Sequence, residues 1–102
     1  MARYKEPLIK QMEGICMLCA REGKWNIQHT EVHHVLFGTA NRKMSTKYGL
    51  VCNLCVDHHR VGPAAVHNNR ENREWLCRVY QTEFEKTHSR EEWMQIAGKN
   101  YI

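Results

Sequence analysis

The sequence predicts a small α+β fold in which one domain spans residues 1–102: a pair of short strands followed by C-terminal helices. Two short runs of apolar and β-branched residues on either side of a polar segment favour the strand pair. Downstream, apolar residues recur at three- and four-residue spacing, which is typical of an amphipathic helix. A chain of this length buries only roughly 60 to 65% of its unfolded surface, so we expect a cross-link that supplements the core.

The strand pair is predicted to follow a polar lead-in at residues 1–15. Residues 24–37 interleave apolar with polar side chains and suit a short strand or hairpin arm. A polar, basic connection follows, in which Ser45 is expected to cap a short helical turn that Gly49 ends. Residues 50–54 are apolar and β-branched, and we expect them to pair with the first arm.

The C-terminal third is predicted to be helical, beginning after the turn at Gly62-Pro63. One helix is expected from about residue 71 to 88, with a single apolar face. The apolar positions are Trp75, Leu76, Val79, Tyr80 and Phe84. A capping box that begins at Ser89 opens a last short helix, and Gly98 ends it.

Composition narrows the setting in which the protein acts. The net charge is +4, which suits a polyanionic partner but is weak evidence by itself. The sequence has no apolar signal segment and no run of about 18 apolar residues, so we expect a cytoplasmic protein without membrane association. In a reducing cytosol, closely spaced cysteines indicate metal ligands before disulfides, and the odd number of five argues against a fully paired framework.

Two half-sites with zinc-ligand spacing are present. The first is Cys16-x-x-Cys19, and the second is either Cys52-x-x-Cys55 or Cys55-x-x-His58. Tetrahedral Zn²⁺ takes four sulfur or nitrogen donors, and a two-residue gap lets one tight turn present two of them. The spacing therefore predicts a structural zinc site.

Strand alternation bears on which residues complete this site. Cys52 and Leu54 would share one face of the second strand, whereas Cys55 would point away at its end. We therefore favour Cys55 with His58, and Cys52 stays as the alternative. Cys77 falls within the amphipathic helix and is predicted to be a small core residue.

Histidines form a second constellation: His33-His34, His58-His59 and His67. Adjacent residues on a strand point to opposite sides, so His33 and His34 cannot do the same job. One is expected to bind a metal ion and the other to meet a substrate. His59 and His67 could supply further imidazole nitrogens to a divalent ion. The alternative is a second or larger zinc site without catalysis.

These motifs together resemble the HNH endonuclease family. Three elements occur in the family's order and at its approximate spacing: Cys16-x-x-Cys19, His33-His34 and Leu54-Cys55-x-x-His58-His59. The stretch from His33 to Leu50 and the ending Gly98-Lys99-Asn100-Tyr101-Ile102 look like small HNH proteins of phages and prophages. The resemblance implies a ββα-metal core at residues 16–70, helices at 71–102, and a phage- or prophage-encoded protein in the host cytosol.

The resemblance also implies roles for individual residues. His34 falls on the family's general base and His33 on its metal ligand. His59 matches the second metal ligand. His67 and Asn69 match positions of the phage subgroup, from which either could reach the ion. The implied cofactors are structural Zn²⁺ and catalytic Mg²⁺ or Mn²⁺.

The chain departs from the family pattern at two positions. His58 stands where the zinc pair usually has cysteine, and histidine is an acceptable zinc ligand. Leu50 stands where the family has its middle asparagine, which orients the loop of the base histidine. Asn41, Asn53 or a backbone carbonyl is then expected to hold His34.

The sequence thus predicts a metal-dependent DNA endonuclease. Arg42, Lys43 and Lys47 on the connection between the strands are either phosphate contacts or a solvated loop. No segment resembles a helix that reads base edges, so we expect low sequence specificity. A homodimer or a phage protein is a possible partner. The alternative function is a non-catalytic zinc-binding module that docks on nucleic acid or protein.

Overall fold

Residues 6–36 and 39–102 are described by the computed structural model, with the backbone alone for residues 39–41. Within these ranges the chain forms two strands, a set of α-helices and one π-helical turn. The α-helices are α1 (Met17–Arg21), α2 (Thr39–Tyr48), α3 (Arg70–Phe84) and α4 (Arg90–Ala97), the strands are β1 (Thr30–His34) and β2 (Val51–Cys55), and the π-helical turn is Asp57–Val61.

The two strands pair in an antiparallel ladder, as predicted. His33 lies opposite Cys52 and His34 lies opposite Val51. Since successive side chains of a strand point to opposite faces, Glu31 and His33 share one face and His34 lies on the other. His33 is buried, whereas His34 is half-buried. The register therefore separates the two histidines of the pair.

Strand β1 is shorter than the arm predicted at residues 24–37. Its pairing begins with Thr30 opposite Cys55, which is the last residue of β2. Within the part of the chain that the structure describes, residues 24–29 have no partner strand, because the chain leaves the ladder after Cys55 and enters the π-helical turn. Trp25 and Ile27 consequently lie at the surface, 58% and 82% exposed.

The connection between the strands was predicted wrongly, because the structure places the ten-residue helix α2 there. Ser45 lies inside this helix and does not cap it. Its buried hydroxyl accepts a hydrogen bond from the backbone N–H of Leu36 at 2.9 Å. The segment lacks a run of apolar residues at helical spacing, although its Arg, Lys and Met residues are good helix formers. The hydrophobic pattern therefore does not predict this helix.

Gly49 ends helix α2, as predicted, in the left-handed conformation with φ +71°. The backbone of the lead-in crosses directly over it, and Leu8 N–H donates to the Gly49 carbonyl at 2.7 Å. A Cβ atom at this position would collide with the Glu6 carbonyl oxygen and lie 3.0 Å from Leu8 N. Glycine is thus required both by the backbone angle and by this close approach.

We expect Gly49→Ala to destabilise the protein more than Gly23→Ala does. Both glycines have positive φ, so each alanine costs on the order of 1–2 kcal/mol of backbone strain. A Cβ at Gly23 would meet no atom within 4 Å, whereas the one at Gly49 adds a collision with the lead-in. Urea unfolding of the two variants measures the difference. Equal losses of unfolding free energy would contradict the close approach.

Helix α3 begins after Asn69, whose side-chain oxygen accepts from the Asn72 N–H at 2.9 Å and caps the helix. It ends at Phe84, four residues before the predicted end. The next residues turn back, and the N–H of His88 bonds to the Phe84 carbonyl at 2.9 Å. This turn lets Trp93 of α4 pack against Phe84, with ring centroids 5.6 Å apart.

Helix α4 has the predicted ends. Ser89 and Glu92 form a reciprocal capping box, and Gly98 stops the helix at φ +75°. The core lies between the strands and α3, where the Tyr80 hydroxyl donates to the Val51 carbonyl at 2.8 Å. Cys77 is buried there, as predicted. The Cα radius of gyration is 13.1 Å, close to the value of about 13 Å expected for 100 residues, so the chain forms one small α+β domain.

Candidate metal centres

The first centre is a buried cluster of three cysteines and one histidine. Cys16 is the N-cap of α1 and Cys19 lies within that helix. Cys55 ends β2, and His58 lies in the π-helical turn that follows. The ligand atoms of these four residues all lie within 4.8 Å of one another.

The distances fit tetrahedral zinc. Nδ1 of His58 lies 3.5, 3.4 and 3.4 Å from the sulfurs of Cys16, Cys19 and Cys55. The sulfurs of Cys19 and Cys55 are 3.9 Å apart, much too far for a disulfide. Ordinary zinc bond lengths at a tetrahedral angle require about 3.6 Å between nitrogen and sulfur and about 3.8 Å between two sulfurs. The donor set therefore fits Zn²⁺ in both chemistry and spacing.

Neighbouring groups stabilise negative charge on these sulfurs. The backbone N–H of Cys19 donates to the Cys16 sulfur and that of His58 donates to the Cys55 sulfur, each at 3.4 Å. The Gln28 side-chain amide donates to the Cys19 sulfur, also at 3.4 Å. In the metal-free cluster, burial nevertheless raises the pKa of the Cys19 thiol to about 12. The cluster consequently needs a bound cation to favour the thiolate.

The structure places Cys52 outside this cluster. It lies on the face of the strand pair opposite to Cys55, fully buried and across the ladder from His33. The strand alternation that favoured Cys55 with His58 over Cys52 is therefore present in the structure.

The second ring nitrogen of His58, Nε2, lies 3.4 Å from a Glu22 carboxylate oxygen.

The second centre is a cluster of three imidazoles. His33 comes from β1, His59 from the π-helical turn and His67 from the loop before α3, and their ligand atoms lie within 4.8 Å of one another. The ring centroids are 5.3 Å apart for His33 and His59, 5.9 Å for His33 and His67, and 4.9 Å for His59 and His67. His33 is buried and His67 exposed, so the cluster opens to solvent on one side.

His33 presents an unsatisfied nitrogen to this cluster. In the described part of the chain, its Nε2 is the buried side-chain nitrogen or oxygen that has no hydrogen-bond partner. Burial lowers the pKa of His33 to about 3, and electrostatic repulsion from the neighbouring His59 and His67 rings adds to the shift. The ring is therefore neutral at physiological pH. A buried polar atom without a partner is costly, and a metal ion would satisfy it.

Glu31 belongs to this centre and was missed by the sequence analysis. Its Oε1 accepts a hydrogen bond from Nδ1 of His59 at 2.7 Å. Arg60 donates to both carboxylate oxygens, at 3.0 and 2.9 Å. These contacts, with Arg60 first, lower the pKa of Glu31 to about 2. The signal was available, since Glu31 lies two residues before His33 and shares its face of the strand.

His34 lies outside the three-histidine cluster. Its pKa is lowered from 6.5, first by burial, then by the positive charge of Arg42 and by electrostatic repulsion from His59. His34 is thus largely neutral at pH 7 and has the protonation state of a base. Arg42, whose charge disfavours protonation of His34, belongs to helix α2.

The remaining predicted site residues are placed as follows. Arg42, Lys43 and Lys47 are exposed on helix α2 and not on a loop. Asn69 caps α3 with its side-chain oxygen, and its predicted role as a metal ligand stays a prediction.

Two asparagines were expected to stand in for the residue that orients His34. The Asn53 amide donates to the Met12 carbonyl at 3.3 Å, which ties it to the lead-in. Asn53 occupies the position across from Val32, so it is not the strand neighbour of His34. The side chain of Asn41 lies outside the described residues.

Comparison with protein-family models, curated proteins and solved structures gave no match. The function of the two centres must therefore be inferred from their own chemistry. No helix in the described ranges is long and apolar enough to cross a bilayer.

Proposed function

We propose that the protein is a metal-dependent DNA endonuclease of the HNH type, with Zn²⁺ in the Cys₃His cluster and a catalytic Mg²⁺ or Mn²⁺ at the three histidines. The observation that carries the proposal is the unpartnered, buried Nε2 of His33 beside two further imidazoles. His34, on the other face of the same strand end, is the proposed general base. The motif order that resembles the HNH family supports the same assignment.

The zinc-binding residues have a structural role in this proposal. Cys16 and Cys19 belong to α1, Cys55 to β2 and His58 to the π-helical turn. Four ligands from three elements hold the turn against the strand pair. Because His59 follows His58 directly, the zinc cross-link also positions an imidazole of the second centre.

The catalytic ion would be held by His33, His59 and His67. When bound, a divalent ion neutralises the charge that develops on the phosphate and stabilises the leaving oxygen. The exposed side of the cluster, at His67, gives a phosphodiester access to it. Imidazole ligands also admit Zn²⁺ or Ni²⁺, which bind more tightly but need not support turnover.

His34 accepts a proton from the attacking water in this mechanism. A neutral imidazole is required for this step, and the lowered pKa of His34 keeps it neutral at pH 7. The positive side chain of Arg42, which contributes to that lowering, is exposed and can attract a DNA phosphate. With Lys43 and Lys47 on the same helix, we propose backbone contacts and low sequence specificity.

Nicking of supercoiled plasmid DNA tests this proposal. Zinc-loaded protein is expected to nick and linearise the plasmid when Mg²⁺ or Mn²⁺ is added, and EDTA should stop the reaction. The cleavage rate should fall as the salt concentration rises, because the proposed contacts are to phosphates. A folded, zinc-loaded protein that binds DNA but cuts in neither metal would favour the alternative function, a non-catalytic docking module.

A further inference from the structure

We infer that Glu31 is a positioning residue of the three-histidine cluster, whose carboxylate fixes the His59 ring so that Nε2, and not Nδ1, is offered as the metal ligand. The inference rests on the proposed metal binding by this cluster. It assigns a role to a residue outside the ligand set and a defined proton position to one ligand.

The direction of the hydrogen bond decides the proton position. Nδ1 of His59 and Oε1 of Glu31 are 2.7 Å apart, which is a short charge-assisted contact. An ionised carboxylate can only accept hydrogen bonds, so Nδ1 must carry the proton. In the neutral ring, Nε2 then has the free lone pair that a metal ion requires.

Arg60 holds the carboxylate in this position. Its guanidinium donates to both oxygens of Glu31, with Nη2 2.9 Å from Oε2 and Nε 3.0 Å from Oε1. The Glu31 carboxylate is therefore hydrogen-bonded by two consecutive residues, His59 and Arg60. Both contacts join strand β1 to the π-helical turn, so the carboxylate fixes the position of the turn as well as the ring.

The position of Glu31 differs from that of a carboxylate in an ordinary surface ion pair. Glu31 shares a strand face with one histidine of the cluster, His33, and is hydrogen-bonded to another, His59. Glu74 provides a comparison, because its carboxylate also has two cationic partners, Arg70 and Lys99. Glu74 lies on α3 and makes no hydrogen bond to a histidine of either cluster. Carboxylates that accept from a metal-bound histidine orient the ring and raise its basicity.

Cobalt binding to the zinc-loaded protein tests this role. In Glu31→Gln, we expect the affinity of the three-histidine cluster for Co²⁺ to fall 10- to 100-fold, because the amide is a weaker and less specific acceptor than the carboxylate. The visible absorption of bound Co²⁺ should also change. Co²⁺ that has entered the cysteine cluster is recognised by sulfur charge-transfer absorption, which an all-nitrogen site lacks. The matched control Glu74→Gln is expected to bind Co²⁺ as the wild type does.

The proton position of His59 is measured separately by ¹⁵N NMR of the wild type. We expect the tautomer with hydrogen on Nδ1 in the wild type and a detectable Nε2–H population in Glu31→Gln. Hydrogen on Nε2 in the wild type would overturn the inference, even if the variant failed to fold. So would equal Co²⁺ affinity in Glu31→Gln and the wild type, or the absence of Co²⁺ binding at the histidines. Glu31-dependent Co²⁺ binding without plasmid cleavage would support the inference and count against the nuclease.

Discussion

Replacing His34 with alanine is expected to slow plasmid cleavage about 10²- to 10⁴-fold, the range by which a positioned general base contributes. His34 is half-buried on the strand face away from the three-histidine cluster. The variant should consequently keep its zinc, its divalent-ion affinity and its thermal stability. Single-turnover cleavage with saturating Mn²⁺ separates the chemical step from binding.

His29→Ala is the matched control for this experiment. His29 is exposed and belongs to neither metal cluster, so its loss should leave the rate unchanged. If His34→Ala cuts as fast as the wild type, the assignment of the base is wrong. If neither the wild type nor His34→Ala cuts DNA but both bind it, the non-catalytic docking module is favoured.

The pH dependence of the cleavage rate follows from the lowered pKa of His34. A base acts only in its neutral form, so the rate should fall as the pH drops through this pKa. Because burial, the charge of Arg42 and repulsion from His59 lower the pKa of His34, the acid limb is expected below pH 6.5. Arg42→Gln should move this limb upward, since it removes one of the positive charges that disfavour protonation.

Removal of zinc is the second large effect that we expect. Structural Zn²⁺ contributes on the order of 10–16 kcal/mol of binding free energy at pH 7. The whole stability of a domain is about 5–15 kcal/mol, so a domain of this size should lose its cooperative fold when the zinc is chelated. Cys19→Ser is expected to have the same result, because a serine hydroxyl is a poor zinc ligand. Circular dichroism during a thermal scan, with and without chelator, measures the loss.

Cys52→Ala is the control that separates a zinc ligand from a buried thiol. Cys52 is as deeply buried as Cys16 but lies on the other strand face from Cys55. The alanine variant should retain one zinc per chain and unfold cooperatively at a modestly lower temperature. Loss of zinc from Cys52→Ala together with its retention in Cys19→Ser would refute the proposed ligand set.

Zinc removal is also expected to abolish metal binding at the second centre. His58 and His59 are adjacent in the π-helical turn, with one ring in each cluster. A turn released from Cys16, Cys19 and Cys55 no longer holds His59 beside His33. Co²⁺ titration of Cys19→Ser, in which cobalt cannot restore the cysteine cluster, should therefore show no site with three nitrogens.

Local patterns were sufficient for several elements because their physical causes are local. The two-residue spacings of the cysteine half-sites set the reach of a turn, and strand alternation divides Cys52 from Cys55 and His33 from His34. The capping box at Ser89 and the left-handed Gly98 depend only on neighbouring backbone groups. These features were predicted from the sequence and are present in the structure.

Other features depend on contacts between distant segments. Helix α2 is polar, and buried contacts such as Ser45 with Leu36 hold it beside strand β1. The predicted arm at residues 24–37 became a five-residue strand, since the partner strand ends at Cys55. In both cases the deciding interaction joins residues that no periodic pattern connects.

By itself, the sequence determined which residues have the chemistry and spacing of metal ligands. It also determined that the adjacent His33 and His34 face apart. Covalent spacing and strand periodicity dictate both. Only the tertiary structure decided that His67 joins His33 and His59, and that the positive charge of Arg42 acts on His34. It also decided that Glu31 holds His59, a contact between residues 28 positions apart. Such contacts arise from the packing of the π-helical turn against the strand, and no local preference of the chain specifies them.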